Sequence, residues 1–137
     1  MRCTNLIMSS NNTVTIETFA QSHFITGFRK KYKKHWCITL DAIESSLERL
    51  ETLLLTSRAA IVCGNDDVKL VKTEFRVVGT KDSAKTSGNR CIVAWHIVNQ
   101  KVVVLLVYSK TDLSGRKETA AWKKLVRENY PVYAHLL

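Results

Sequence analysis

Several familiar signatures are missing from this chain, and each absence narrows the reading. Its 137 residues include one proline, Pro131, and five glycines, and no internal repeat or low-complexity tract runs through them, so a repeat array or a linker protein is excluded. The longest uninterrupted apolar run, 102–107, is far shorter than the roughly 20 residues that a membrane span needs. The start of the chain lacks the basic, apolar, small-residue order of a signal peptide. A cytoplasmic protein without a membrane partner is the expectation. Cys3, Cys37, Cys63 and Cys91 are scattered, with no Cys-x-x-Cys pair and no His at metal-ligand spacing. They read as free thiols packed as small apolar residues, and neither a metal site nor a cofactor is expected.

What is present is positive charge, unevenly placed. The formal net charge is +9. Residues 1–68 hold 8 Lys/Arg against 7 Asp/Glu, whereas residues 69–137 hold 13 against 5. A field concentrated in the second half implies a polyanionic partner, because phosphate neutralisation releases counterions and steers association over long range.

The chain is long enough for one domain with its own core. Residues 1–12 are polar and without periodicity and are expected as a flexible leader to a single domain over 13–137. Residues 14–18 alternate as a strand does. Ser22 is placed to cap a helix carrying Phe24, Phe28, Tyr32 and Trp36 at intervals of four, a stripe that reads as core. Arg29, Lys30, Lys31, Lys33 and Lys34 fall near its C-terminus, where cations complement the helix dipole. Thr39 would cap a second helix in which Leu40, Ile43, Leu47, Leu50 and Leu54 keep the spacing of a buried seam, with Asp41, Glu44, Glu48 and Glu51 mostly on the watery side. Two such helices joined by a short link predict a helical hairpin on one face of a sheet.

Gly64, Asn65 and Asp66 signal a loop. Beyond it Val71, Thr73, Phe75 and Val77 alternate with Lys72, Glu74, Arg76 and Val78, so one strand face is apolar and the other, bearing Arg76, largely charged. The β-branched runs 93–98 and 102–107, joined through Asn99 and Gln100, read as central antiparallel strands buried on both sides. Ser114 can cap a last helix with Ala121, Trp122, Leu125 and Val126 on one side and Lys117, Lys123, Lys124 and Arg127 elsewhere, ended by Pro131. The predicted fold class is α+β, a twisted antiparallel sheet with the helical hairpin on one face and a C-terminal helix.

The stretch Lys85-Thr86-Ser87-Gly88-Asn89-Arg90 lies between the first of these strands and the central pair. Lys85 and Arg90 stand five residues apart across a Gly-containing loop, so two cations can converge on one phosphate, Arg90 with its fork facing an open groove. Downstream comes Tyr108-Ser109-Lys110-Thr111-Asp112-Leu113-Ser114 and then the basic, Trp-containing helix.

This order resembles the RelE/HigB family of bacterial toxins, in which a K-S-G-G-x-R segment opens a hairpin, an apolar strand ends in Tyr-x-Lys, and a Leu-Ser step starts the last helix. Lys85, Gly88, Arg90, Tyr108, Lys110, Leu113 and Ser114 stand in matching places. Ile16-Glu17-Thr18-Phe19 followed by Phe24 looks like the family's first strand leading into its first helix. The resemblance covers roughly residues 14–128; Ser87 replaces one of the paired glycines and Asn89 the usual bulkier residue.

The resemblance implies a RelE-like microbial ribonuclease fold in a bacterial cytoplasmic toxin of a type II toxin-antitoxin system. It also implies a cognate antitoxin and endoribonuclease action on messenger RNA, in many members on the ribosome. Metal-free cleavage by 2′-hydroxyl attack calls for a proton acceptor, a proton donor and cations around the phosphorane. Lys85 and Arg90 would neutralise the phosphate, Tyr108 would stack on a base or handle a proton, and Lys110 lies two residues farther on the same strand face. Arg76 and Lys81 are candidate RNA contacts. His96 has the ring of a base but lies inside an apolar strand, where a packed, hydrogen-bonded histidine is the plainer reading. Two alternatives stand beside this: a ParE-like toxin that binds gyrase, and a basic RNA-binding module without catalysis.

Overall fold

The computed structural model describes residues 11–113 and 117–137, apart from the side chain of Phe24. Cys3, the core role expected of Phe24 and the cap expected of Ser114 therefore lie outside the described residues. Among the described residues, strand β1 (Thr13–Ile16) comes first and is followed by a run of helical segments: α1 (Thr18–Ala20), a π-helical turn Gln21–Ile25, α2 (Thr26–Tyr32), α3 (Lys34–Glu48) and α4 (Leu50–Leu53). Strands β2 (Ala59–Gly64), β3 (Val68–Phe75), β4 (Asn89–His96) and β5 (Lys101–Ser109) follow. A 3-10 turn, Lys110–Leu113, then leads towards helix α5 (Glu118–Asn129), and a second 3-10 segment, Pro131–Leu136, ends the chain.

The sheet order is β1-β5-β4-β3-β2. The helices carry the chain from one edge of the sheet to the other, and three antiparallel reversals return β5 beside β1 pointing the same way, so these two pair in parallel. The sheet is therefore mixed, which corrects the all-antiparallel expectation. The edge strand β2 was not foreseen. Its Ala-Ala-Ile-Val-Cys-Gly sequence neither alternates nor runs long enough to stand out, yet it pairs with β3 along its length.

Two apolar layers flank the sheet. Ile25, Phe28, Trp36, Ile43, Leu47 and Leu50 pack onto Val71, Phe75, Val93, Val102 and Val104 on one face. On the other, Trp122, Val126, Tyr130, Tyr133 and Leu136 pack onto Leu70, Ile92, Leu106 and Tyr108. β4 and β5 are thus covered on both sides, which explains why they read as nearly continuous apolar runs. Fully burying each such side chain stabilises by about 1.5–3 kcal/mol; truncating the wholly buried Trp36 to Ala would cost about 3–5 kcal/mol. A β-bulge at Leu105, where Ile92 pairs with Leu106 but Val93 pairs with Val104, resets the alternation of β5. As a result Val103 and Leu105 before the bulge share a face with Leu106 and Tyr108 after it.

The helices differ from expectation at their ends. The chain breaks at Lys33, whose φ of 51° and ψ of −122° leave the helical region, so Trp36 belongs to α3. The aromatic stripe is nevertheless rebuilt across the break, because Trp36 stacks on Phe28 with centroids 4.8 Å apart and planes 15° off parallel. Ser22 lies within the helical run, its hydroxyl donating to the Thr18 carbonyl at 3.1 Å, and caps nothing. Thr39 lies inside α3 and is fully buried. Its hydroxyl donates to the His35 carbonyl at 2.7 Å and accepts the Val78 N–H at 2.9 Å, fixing the segment after β3 to the helix. A second break at Arg49 separates Leu50 and Leu54 from the seam above them. Asn12, expected in the leader, is buried against the end of α3, its N–H donating to the Glu48 carbonyl at 2.8 Å.

Candidate phosphate-binding rim at the end of the sheet

β3 ends at Phe75, and the connection to β4 is a built turn. Ser83 and Thr86 exchange hydrogen bonds, each backbone N–H donating to the other's hydroxyl at 3.1 Å. The Ser87 hydroxyl donates towards the carbonyls of Phe75 at 2.6 Å and Ala84 at 2.8 Å and accepts the Asn89 N–H at 3.1 Å. Serine at this place therefore does structural work: it locks the loop to the strand it leaves. Gly88 takes a φ of 78°, which side-chain-bearing residues rarely adopt, and its carbonyl accepts the Lys110 N–H at 2.7 Å. That bond extends the β4–β5 ladder by one step and fixes Lys110 beside the loop.

Three lysines ride on this scaffold. Lys81, Lys85 and Lys110 are all exposed, and among the described residues none of them forms an ion pair. Lys110 lines a hollow of about 370 Å³ with Thr86, Ser87, Gly88, Ser109 and Thr111, and Lys85 directly precedes Thr86 in the chain. Hydroxyls, peptide groups and an ammonium around an open hollow are what an anionic oxygen needs.

Arg90 and Tyr108 do not join that surface. Arg90 is 7% exposed; it faces Glu74 on one neighbouring strand and Tyr108 on the other. One guanidinium nitrogen lies 3.3 Å from the Glu74 carboxylate, another donates to its own strand at the Asn89 carbonyl, 3.1 Å away, and Nε has no partner among the described residues. The open fork expected from the sequence is instead a buried cross-strand ion pair. Tyr108 has no exposed surface. Its hydroxyl donates to Glu118 of α5 at 2.5 Å, and burial first, then the Glu118 carboxylate, raise its pKa. Glu118 also lies 3.9 Å from the Lys72 ammonium. A phenol held this way stays protonated and faces away from solvent.

Of the remaining candidates, Arg76 follows the end of β3 rather than lying on a strand face, and its guanidinium donates to the Thr80 carbonyl at 3.1 Å. His96 shares a hydrogen bond of 2.8 Å with the Tyr133 hydroxyl, as expected of a packed histidine. Desolvation, then Lys101, lower its pKa. Cys37, Cys63 and Cys91 are free thiols. Sequence reasoning missed Glu74 and Glu118, the carboxylates that occupy Arg90 and Tyr108. The charged alternation of β3 offered a signal for Glu74; Glu118 is brought in only by the packing of α5.

No protein-family model and no curated protein sequence matches this chain. Among solved structures, the fold matches a chain of the archaeal RelE–RelB complex from Pyrococcus horikoshii OT3, with a TM-score of 0.51 and 12% sequence identity. The match covers 73% of this chain and 96% of that one. The fold is RelE-like: a five-stranded mixed sheet with helices in an α+β arrangement.

Proposed function

We propose that the protein is the toxin of a type II toxin-antitoxin system and that it cleaves messenger RNA without a metal, on the ribosome, by attack of the 2′-hydroxyl on the adjacent phosphate. The observation that carries this reading is the rim: Lys110 lines a hydroxyl-lined hollow at the end of the sheet, Lys85 adjoins its Thr86 wall in the chain, and Lys81, Lys85 and Lys110 are exposed and in no ion pair among the described residues. Lys85 and Lys110 would hold the scissile phosphate, one amine taking the 2′-hydroxyl proton and the other ammonium giving a proton to the departing 5′ oxygen. Lys81 and Arg76 would contact neighbouring phosphates. Arg90 and Tyr108, paired internally, would act from beneath as positioning residues, Arg90 adding positive potential and Tyr108 anchoring α5 to the sheet.

A second reading, an RNA-binding chain that does not cut, is favoured by one observation: two of the four expected catalytic groups are buried and committed to carboxylates. Incubating the pure protein in parallel with translating ribosomes, naked RNA and gyrase separates the readings. Cleaved RNA supports the nuclease, bound but intact RNA supports the second reading, and inhibition of gyrase alone refutes both. The antitoxin would be a small acidic protein that covers the lysine rim, charge setting its association rate.

A further inference from the structure

A separate cavity lies on the helix-covered face of the sheet, where α3, the α4 turn beyond the break at Arg49 and the end of β3 meet. It has a volume of about 240 Å³ and shares no residue with the hollow beside the rim. Its walls are largely apolar: Ile43 and Leu47 of α3, Leu53 of α4, Phe75 at the end of β3 and Val78 just past it. That volume is below the roughly 300–1,000 Å³ of pockets for drug-sized ligands. At about 30 Å³ for each water-sized group, it suits an occupant of about eight non-hydrogen atoms.

Two arginines belong to the same lining. Arg58 and Arg76 are both exposed, and among the described residues neither forms an ion pair. One guanidinium nitrogen of Arg58 reaches the Glu74 carbonyl only at 3.5 Å, long for a hydrogen bond. Arg76 gives one nitrogen to the Thr80 carbonyl, out of a guanidinium that carries five N–H donors. Glu74 lines the cavity too, but its carboxylate lies 3.3 Å from Arg90. That pair stands in the cross-strand row running through Tyr108 to α5 on the sheet's other face. The charge left over at the cavity is therefore positive.

We propose that this cavity is a binding site for a small free carboxylic acid with a compact branched body, its carboxylate held by Arg58 and Arg76 and its body seated against Ile43, Leu47 and Phe75. A guanidinium fork matches a carboxylate bidentately, and apolar walls favour an anion that brings apolar surface of its own, which inorganic phosphate does not. The site goes beyond the RNA reading and does not depend on it.

The test titrates the full chain with isocaproate, which matches the cavity in size, while backbone amide resonances are followed. The expected result is saturable shifts at Ala42, Ser46, Leu53 and Val78, with Gly88 and Lys110 unmoved. Acetate, which lacks the branched body, and isocaproamide, which lacks the charge, should each bind at least about tenfold more weakly. Arg58→Gln should weaken isocaproate about tenfold. Ala42→Phe, at an exposed position of α3 that lines the cavity, should fill it and abolish the shifts; neither change touches the core. Arg76, which the RNA reading also uses, is left in place. Absent shifts, shifts that isocaproamide or inorganic phosphate reproduces at the same concentration, or shifts that survive in the Ala42→Phe chain overturn the site. So does the peptide acetyl-Glu-Leu-Glu-amide if it moves the same amides at lower concentration than isocaproate, because the cavity then belongs to a protein partner.

Discussion

Arg90 places a guanidinium nitrogen 3.3 Å from the Glu74 carboxylate across the β3–β4 pair, with both side chains nearly out of reach of water. Removing one partner leaves the other charged, buried and alone, which is costlier than losing the attraction itself. Glu74→Ala is therefore expected to destabilise the fold by about 3–5 kcal/mol, read from the midpoint of urea unfolding. The double change Glu74→Leu with Arg90→Met should recover most of that loss. A Glu74→Ala chain as stable as the parent would show that Arg90 is solvated in solution.

The exposed lysines behave oppositely. Lys85→Ala and Lys110→Ala should leave the unfolding midpoint within about 0.5 kcal/mol of the parent, as surface changes do, while each slows RNA cleavage by a factor corresponding to roughly 3 kcal/mol. The double variant should fall short of the sum if both hold one phosphate. Cleavage by the double variant at the parent rate would remove the rim from the mechanism.

Tyr108→Phe separates a positioning role from a chemical one. It deletes the donor to Glu118 and should cost about 1–3 kcal/mol of stability. Cleavage below the melting temperature should stay within a few-fold of the parent. A loss of several hundredfold with the fold intact would mean that Tyr108 reaches the substrate.

The pH dependence follows from His96. Its pKa is lowered in the fold by desolvation and by Lys101, so the unfolded chain takes up the proton first on acidification. The stabilisation is complete above the unfolded histidine range near pH 6.5 and declines as pH falls through the lower folded value. His96→Gln should flatten that part of the stability profile. An unchanged acid limb would assign the effect to other groups.

The thiols give a simpler check. Burial pushes Cys91 up to about 12, whereas Cys37 is exposed. A thiol-alkylating reagent at pH 8 should modify Cys37 in the folded chain and reach Cys91 only after denaturation, as mass mapping will show. Rapid native labelling of Cys91 would contradict the packing of β4.

How much of this was legible in the sequence depends on the range of the contacts concerned. Ile43 and Leu47 announce their buried face because a helix repeats locally, and the runs around Val93 and Val104 announce buried strands because both neighbours are apolar. The break at Lys33 was hidden by Phe28, Tyr32 and Trp36, whose spacing continues across it as though the helix did. The parallel pairing of β1 with β5 depends on how many reversals follow, including one through the unmarked strand β2. The sequence marked Lys81 and Lys85 as loop cations but paired Lys85 with Arg90, and it placed Lys110 on a strand face rather than in the turn Lys110–Leu113. The burial of Arg90 was not legible, since Glu74 lies sixteen residues upstream and reaches it only through the β3–β4 register. Tyr108 faces Glu118 because a single bulge at Leu105 turns it to that side, and no local pattern encodes a bulge.

The central claim is that the lysine rim cuts RNA by 2′-hydroxyl attack, and the most direct test is the mass of the product ends. Translating ribosomes are incubated with the parent chain, with the Lys85→Ala, Lys110→Ala chain alongside. Fragments ending in a 2′,3′-cyclic phosphate from the parent, and intact RNA from the double variant, are the predicted result. Parent fragments that lack the cyclic end, or cleavage by the double variant at the parent rate, would contradict it.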